Sequence, residues 1–196
     1  MAQDNLIRDF KTDLTNISLN QITDRIIDQG NCQGISLEAS EYIRNKVSDV
    51  FNISKECVLI VGSAKLGFSI SKKKDKPRYR EFSDLSDIDV AIVDSTLFDS
   101  YWEDIFNIYC EGHPWNEKES FQFYFFRGWI RPDKFHKNIE FPKGDAWWRA
   151  FGELSRDINI DRRKVRGGLY KSDIFLRRYQ EICLKQCISD ITLGAI

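Results

Sequence analysis

Cys-Val-Leu-Ile-Val at 57–61 is an unbroken apolar run, and it limits the fold more than any other stretch of the chain. A strand covered on both faces requires such a run, whereas a half-exposed strand would alternate apolar and polar residues. Asp-Ile-Asp-Val-Ala-Ile-Val at 87–93 reads as a second strand, and Lys-Val-Arg-Gly-Gly-Leu-Tyr at 164–170 as a third. The Gly167-Gly168 pair in the third predicts a bulge or a close backbone approach.

Helical spacing fills most of the remainder. Residues 20–31 predict a short amphipathic helix ended by Gly30. Residues 36–52 predict a longer one capped by Ser36, with Leu37, Tyr42, Ile43, Val47, Val50 and Phe51 inward. A helix over 95–110 takes its cap from Asp94 or Ser95 and turns Leu97, Phe98, Tyr101, Trp102, Ile105 and Tyr109 inward. Residues 117–130 fit helix or strand. Asp145 is expected to cap a helix over 144–155. A last helix over 172–189 carries Ile174, Phe175, Tyr179, Ile182 and Cys183 as its buried stripe. The expected fold is α+β: one domain over 1–196, a small mixed β-sheet flanked by helices, with N-terminal helices 1–52 and the C-terminal helix 172–189 packed on it.

The chain has 196 residues, 42% hydrophobic and 30% charged, with a net charge of -1. That suits a folded domain and excludes nucleic-acid binding through global charge; such a role needs a local patch. Cys183 and Cys187, four apart on a helix, suit packing better than zinc. The first residues lack the apolar core of a signal peptide, and no apolar run approaches the roughly 18 residues of a membrane span. A reducing cytoplasm and no membrane partner are the expectation.

Asp87 and Asp89 are one residue apart on a strand and so share a face, with Ile88 and Val90 on the other. Two adjacent carboxylates repel unless a cation lies between them, and an oxygen-only pair suits Mg²⁺ or Mn²⁺. The Gly62-Ser63 turn after the first strand permits close approach of a phosphate, with amides and a hydroxyl as donors. The bland readings are an ordinary strand-ending turn and a solvated edge.

The ordered combination "GSAKLGF…SDLSDIDVAIV" resembles the nucleotidyltransferase superfamily with the DNA polymerase β-like fold. It is most similar to minimal bacterial nucleotidyltransferases and antiviral cyclic-oligonucleotide synthases. The resemblance covers 57–93. It implies that Asp87 and Asp89 bind metal and carry catalysis, that Gly62 and Ser63 hold nucleotide phosphates, and that Ser86 belongs to the same nucleotide-binding motif. It also implies an NTP ligand, ATP being favoured, and Mg²⁺ (or Mn²⁺) as cofactor. Two features depart from the pattern. Residues 69–85 are inserted between the motif halves. The third carboxylate usual on a later strand is missing from 164–170, with Asp157 and Asp161 the nearest candidates and Glu119 and Asp133 further ones.

Lys171, near the N-terminus of the last helix, is a further candidate nucleotide contact. Lys-Lys-Lys-Asp-Lys-Pro-Arg-Tyr-Arg at 72–80 holds six basic residues and reads either as a solvated hairpin or as a nucleic-acid contact. Its polarity predicts that shortening it costs the fold little. Trp147, Trp148 and Phe151 are expected in a core or an interface, and the aromatic and basic stretch 125–135 is expected to dock on a protein partner. Two functional readings follow from the resemblance. One is an enzyme that moves an NMP from an NTP to a hydroxyl of a protein, RNA or nucleotide, in a bacterial defence or toxin–antitoxin system. The other is a catalytically silent subunit that binds nucleotide or a partner protein within a larger complex.

Overall fold

The apolar run becomes β1 (Val58–Val61), an edge strand of a four-stranded sheet. A computed structural model describes residues 2–28, 30–72, 76–135 and 141–194. Helices α1 (Ala2–Asn16), α2 (Leu19–Ile27) and α3 (Leu37–Phe51) precede the sheet. After β1 the chain makes one short helix, α4 (Gly62–Leu66), and a two-residue hairpin, β2 (Phe68–Ser69) with β3 (Arg80–Glu81). Then come β4 (Ile88–Val93), α5 (Ser95–Cys110), α6 (Lys118–Phe125), β5 (Trp129–Ile130), α7 (Pro142–Leu154), β6 (Val165–Tyr170) and α8 (Asp173–Thr192). The mixed α+β class expected from the sequence is what the chain forms.

β4 runs antiparallel to β1, with Val61 opposite Asp89, and parallel to β6, with Ile88 opposite Val165. β5 closes the far side, antiparallel to β6. Alternation sends Val58, Ile60, Ile88, Val90 and Ile92 to one face, packed with Ile43, Val47, Phe98, Tyr101, Trp147 and Phe151. Val61, Ala91 and Tyr170 face the other way, with Ile22, Ile26, Leu176 and Leu184. Each fully buried aliphatic side chain contributes about 1.5–3 kcal/mol, so two covered faces make the sheet the stable frame of the molecule. The edge of β1 is not left open: buried Arg44 donates from Nε to the Val58 carbonyl, 3.0 Å away.

Several expectations are corrected. Leu37 and Val50 lie exposed at the two ends of α3, whose buried stripe includes Ser40, Ile43, Arg44 and Val47. Trp102 and Tyr109 on α5 are also exposed. α7 starts at Pro142, where a missing N–H costs nothing, so Asp145 lies inside the first turn rather than at the cap. The Gly167-Gly168 pair makes a close approach: a β-carbon at Gly167 would stand 2.2 Å from Cζ of Phe151. The uncertain stretch 117–130 holds both elements, α6 and then β5. On α8 the buried face is Leu176, Gln180, Glu181, Leu184 and Cys187; of the expected stripe, Ile174 and Ile182 are exposed, and Phe175, Tyr179 and Cys183 lie one residue out of step.

Candidate functional site

β1 delivers the chain into Gly62, whose φ of +67° is a left-handed value that a side chain resists. The β1–β4 register brings that turn against Asp89: a β-carbon at Gly62 would lie 3.0 Å from Asp89 Oδ2. Ser63 follows in the first turn of α4. On β4, Ile88 and Val90 are buried in the core, which leaves Asp87 and Asp89 together on the opposite face. Gly62, Ser63, Asp87 and Asp89 therefore converge at one end of two paired strands. Ser86 joins them through the preceding turn, where its Oγ accepts from the Ser83 amide at 3.0 Å.

The third strand brings a residue that the sequence reading passed over. The parallel register sets Arg166 beside Asp89, on the late strand that the resemblance expects to carry a carboxylate. Arg166 Nε stands 2.8 Å from Asp87 Oδ2. The pair is half open to solvent, with 52% of the Arg166 side chain and 31% of the Asp87 side chain exposed. Asp84, Leu85, Ser86 and Asp87 form one wall of an open groove of about 660 Å³, and Asp161, Arg162, Arg163 and Lys164 form the other. Arg163 is committed to that wall: it donates to the Ser83 carbonyl (2.9 Å) and pairs with Asp84 (2.6 Å).

Lys171 is not brought to this place. It lies beyond the opposite end of β6, five residues from Arg166 or about 16 Å along an extended strand. There it pairs with Asp99, and its backbone N–H donates to Gly128.

The residues present fit a pair of divalent cations poorly. Among the described residues no three His, Cys, Asp or Glu side chains are grouped to hold a metal. Asp157 caps the 3₁₀ turn 158–160 and accepts from the Tyr42 hydroxyl, a bond that holds its carboxyl below the ordinary range. Asp161 lines the groove with Asp87 but is exposed on a left-handed turn. Asp133 is engaged by Arg131 at 2.7 Å, and Glu119 lies in the first turn of α6. A cation at Asp87 would have to displace Arg166 or sit beside its like charge.

Two other cations lie buried with structural partners. Lys65 on α4 is 5% exposed, and its Nζ donates to Asp28 and to the carbonyl of Gly30 at 2.8 Å. Arg78, in the basic insert, is buried against α8, with Nε 2.7 Å from Asp190 Oδ2 and Nη1 donating to the Ile70 carbonyl. Tyr79 packs beside it with Phe10 and Phe68, ring centroids 6.4 and 6.0 Å away. The insert is thus fixed to α1 and α8, which corrects the expectation that it is dispensable to the fold. Lys73, Lys74 and Asp75, the heart of the expected nucleic-acid contact, lie outside the described residues.

Trp147 and Phe151 are core residues as expected. In 125–135, Phe126 is 89% exposed, and the Arg127 guanidinium lies 3.6 Å from the centroid of the Phe123 ring. Burial pushes the Cys183 and Cys187 thiols up, as apolar packing should. No helix among the described residues is long and apolar enough to cross a membrane. Comparison with protein-family models, with curated proteins and with solved structures finds no match to the chain.

Proposed function

We propose that this chain is a nucleotidyltransferase-like domain that binds a nucleotide without transferring it, as the silent subunit of a larger assembly. The observation that carries the reading is the Asp87–Arg166 ion pair. The late strand thus brings a guanidinium to the acid pair, where the resemblance expects that strand to supply a third carboxylate. The left-handed Gly62, which opens α4 at the end of β1, is the turn that the resemblance assigns to phosphate. The exposed Phe126 and the Arg127–Phe123 stack support a protein partner on a separate surface.

The exposure of the same ion pair favours a second reading. An exposed pair is worth about 0–1 kcal/mol, so a tightly chelated ligand would displace it. On that reading the chain is a Mg²⁺-dependent enzyme moving an NMP from an NTP, ATP favoured, to a hydroxyl of a protein, RNA or nucleotide acceptor. A setting in bacterial defence or a toxin–antitoxin pair belongs to the resemblance. Incubation with α-labelled ATP, GTP, CTP and UTP in Mg²⁺ and in Mn²⁺ separates the two. The expected result is bound but untransferred nucleotide. Label transfer that vanishes in the Asp87→Asn, Asp89→Asn double variant would establish the enzyme instead.

A further inference from the structure

We infer that Arg166, with Lys164, stands in for the divalent cation, so that the site takes a nucleoside triphosphate free of metal. The inference rests on the nucleotide-binding reading above and specifies the form of the ligand. Three observations lead to it.

The first is placement. Arg166 is next to Asp89 in the parallel register and its Nε is 2.8 Å from Asp87, so the guanidinium is paired with one acid and placed beside the other. The second is alternation. Lys164 precedes Arg166 by two residues, and its carbonyl already accepts from Ile88 as a continuation of the ladder. It therefore lies on the same face as Arg166, Asp87 and Asp89. The third is the neighbouring groove wall, where Arg162 and Lys164 stand beside Asp161 while Arg163 is already paired with Asp84.

Together Asp87, Asp89, Lys164 and Arg166 are neutral. A divalent ion added at Asp87 meets the guanidinium already paired there, so the cation that a triphosphate needs is one the chain itself supplies. A guanidinium has five donors in a fixed fork, enough to hold a carboxylate through Nε and still offer a phosphate its remaining N–H groups. The half-exposed side chain leaves solvent access for that second contact.

The test is calorimetric titration of the full chain with ATP, in EDTA and again in excess Mg²⁺. Binding should be at least as tight in EDTA. Arg166→Ala should weaken the EDTA affinity about tenfold, the worth of one charged hydrogen bond. Arg166→Asp should abolish it and should create Mn²⁺ binding, read from loss of the free-ion paramagnetic signal. Circular dichroism checks that both variants keep the wild-type fold. ATP that binds only with Mg²⁺, at an affinity Arg166→Ala leaves unchanged, would overturn the role of Arg166 and leave the nucleotide-binding reading standing. Failure of ATP, GTP, CTP and UTP to bind under either condition would overturn both.

Discussion

Gly62 lies against the carboxylate of Asp89, close enough that a β-carbon on Gly62 would stand 3.0 Å from Oδ2. The absence of a side chain there serves two ends, since the same residue holds a φ of +67°. Gly62→Ala should therefore both strain the backbone and push the carboxylate aside. We expect a loss of about 1–3 kcal/mol in urea unfolding with an unchanged slope. An unchanged midpoint would mean that the turn relaxes freely and is not what positions Asp89.

The loop after α2 is tied to α4 by one buried cation. Lys65 Nζ serves Asp28 and the Gly30 and Asn31 carbonyls, while the Lys65 and Ala64 carbonyls accept from Gln33 and Gly34. Lys65→Met keeps the stem and removes the charge. The expected cost is about 1.5–3 kcal/mol, with faster hydrogen exchange at residues 30–34. Exchange that stays at the wild-type rate would show that the backbone bonds hold the loop unaided.

Gly167 faces Phe151 and Trp147 across the buried side of β6, and a β-carbon there would meet ring atoms at 2.2–2.6 Å. Gly167→Ala should cost about 1–3 kcal/mol by overpacking. Adding Phe151→Leu should return part of it, so the two changes couple favourably in a double-mutant cycle. Strict additivity would indicate that the strand moves away from α7 as a unit.

Acid should loosen the hairpin insert from α8. The hydrogen bond from Arg78 holds the Asp190 carboxyl below its ordinary range. A depressed carboxyl stabilises the fold above its unfolded pKa of about 3.9, and that stability is lost as pH falls through the lower folded value. Asp190→Asn should be less stable than wild type at neutral pH, and its melting temperature should fall less between about pH 5 and pH 3. Parallel wild-type and variant curves across that range would remove the pair from the acid response.

Much of the sheet was legible because β1 and β4 announce themselves locally. An apolar run and an acid-flanked strand need no partner to be recognised, and the shared face of Asp87 and Asp89 follows from alternation alone. Arg166 was not legible in the same way. Its significance lies in a pairing between residues far apart in the chain, and no local pattern states that 166 rather than 164 or 168 falls beside Asp89. The α8 stripe misled for a different reason. Gln180 and Glu181 are 7% and 8% exposed, so a search for apolar residues alone rotates the buried face by one residue. The insert misled because buried Arg78 has the composition of a solvated residue and the environment of a core one.

Strand order also fixes when the molecule becomes whole. β6, the last strand in sequence, occupies an interior place between β4 and β5. On the ribosome, Gly62, Asp87 and Asp89 emerge first, and about eighty further residues pass before Arg166 follows. Until then the nascent chain presents the ladder edge of β4 to whatever is near, a vulnerable interval for a domain of this size. The strand that covers that edge of β4 also carries the guanidinium that meets Asp87, so completing the sheet and pairing the carboxylate depend on the same late segment.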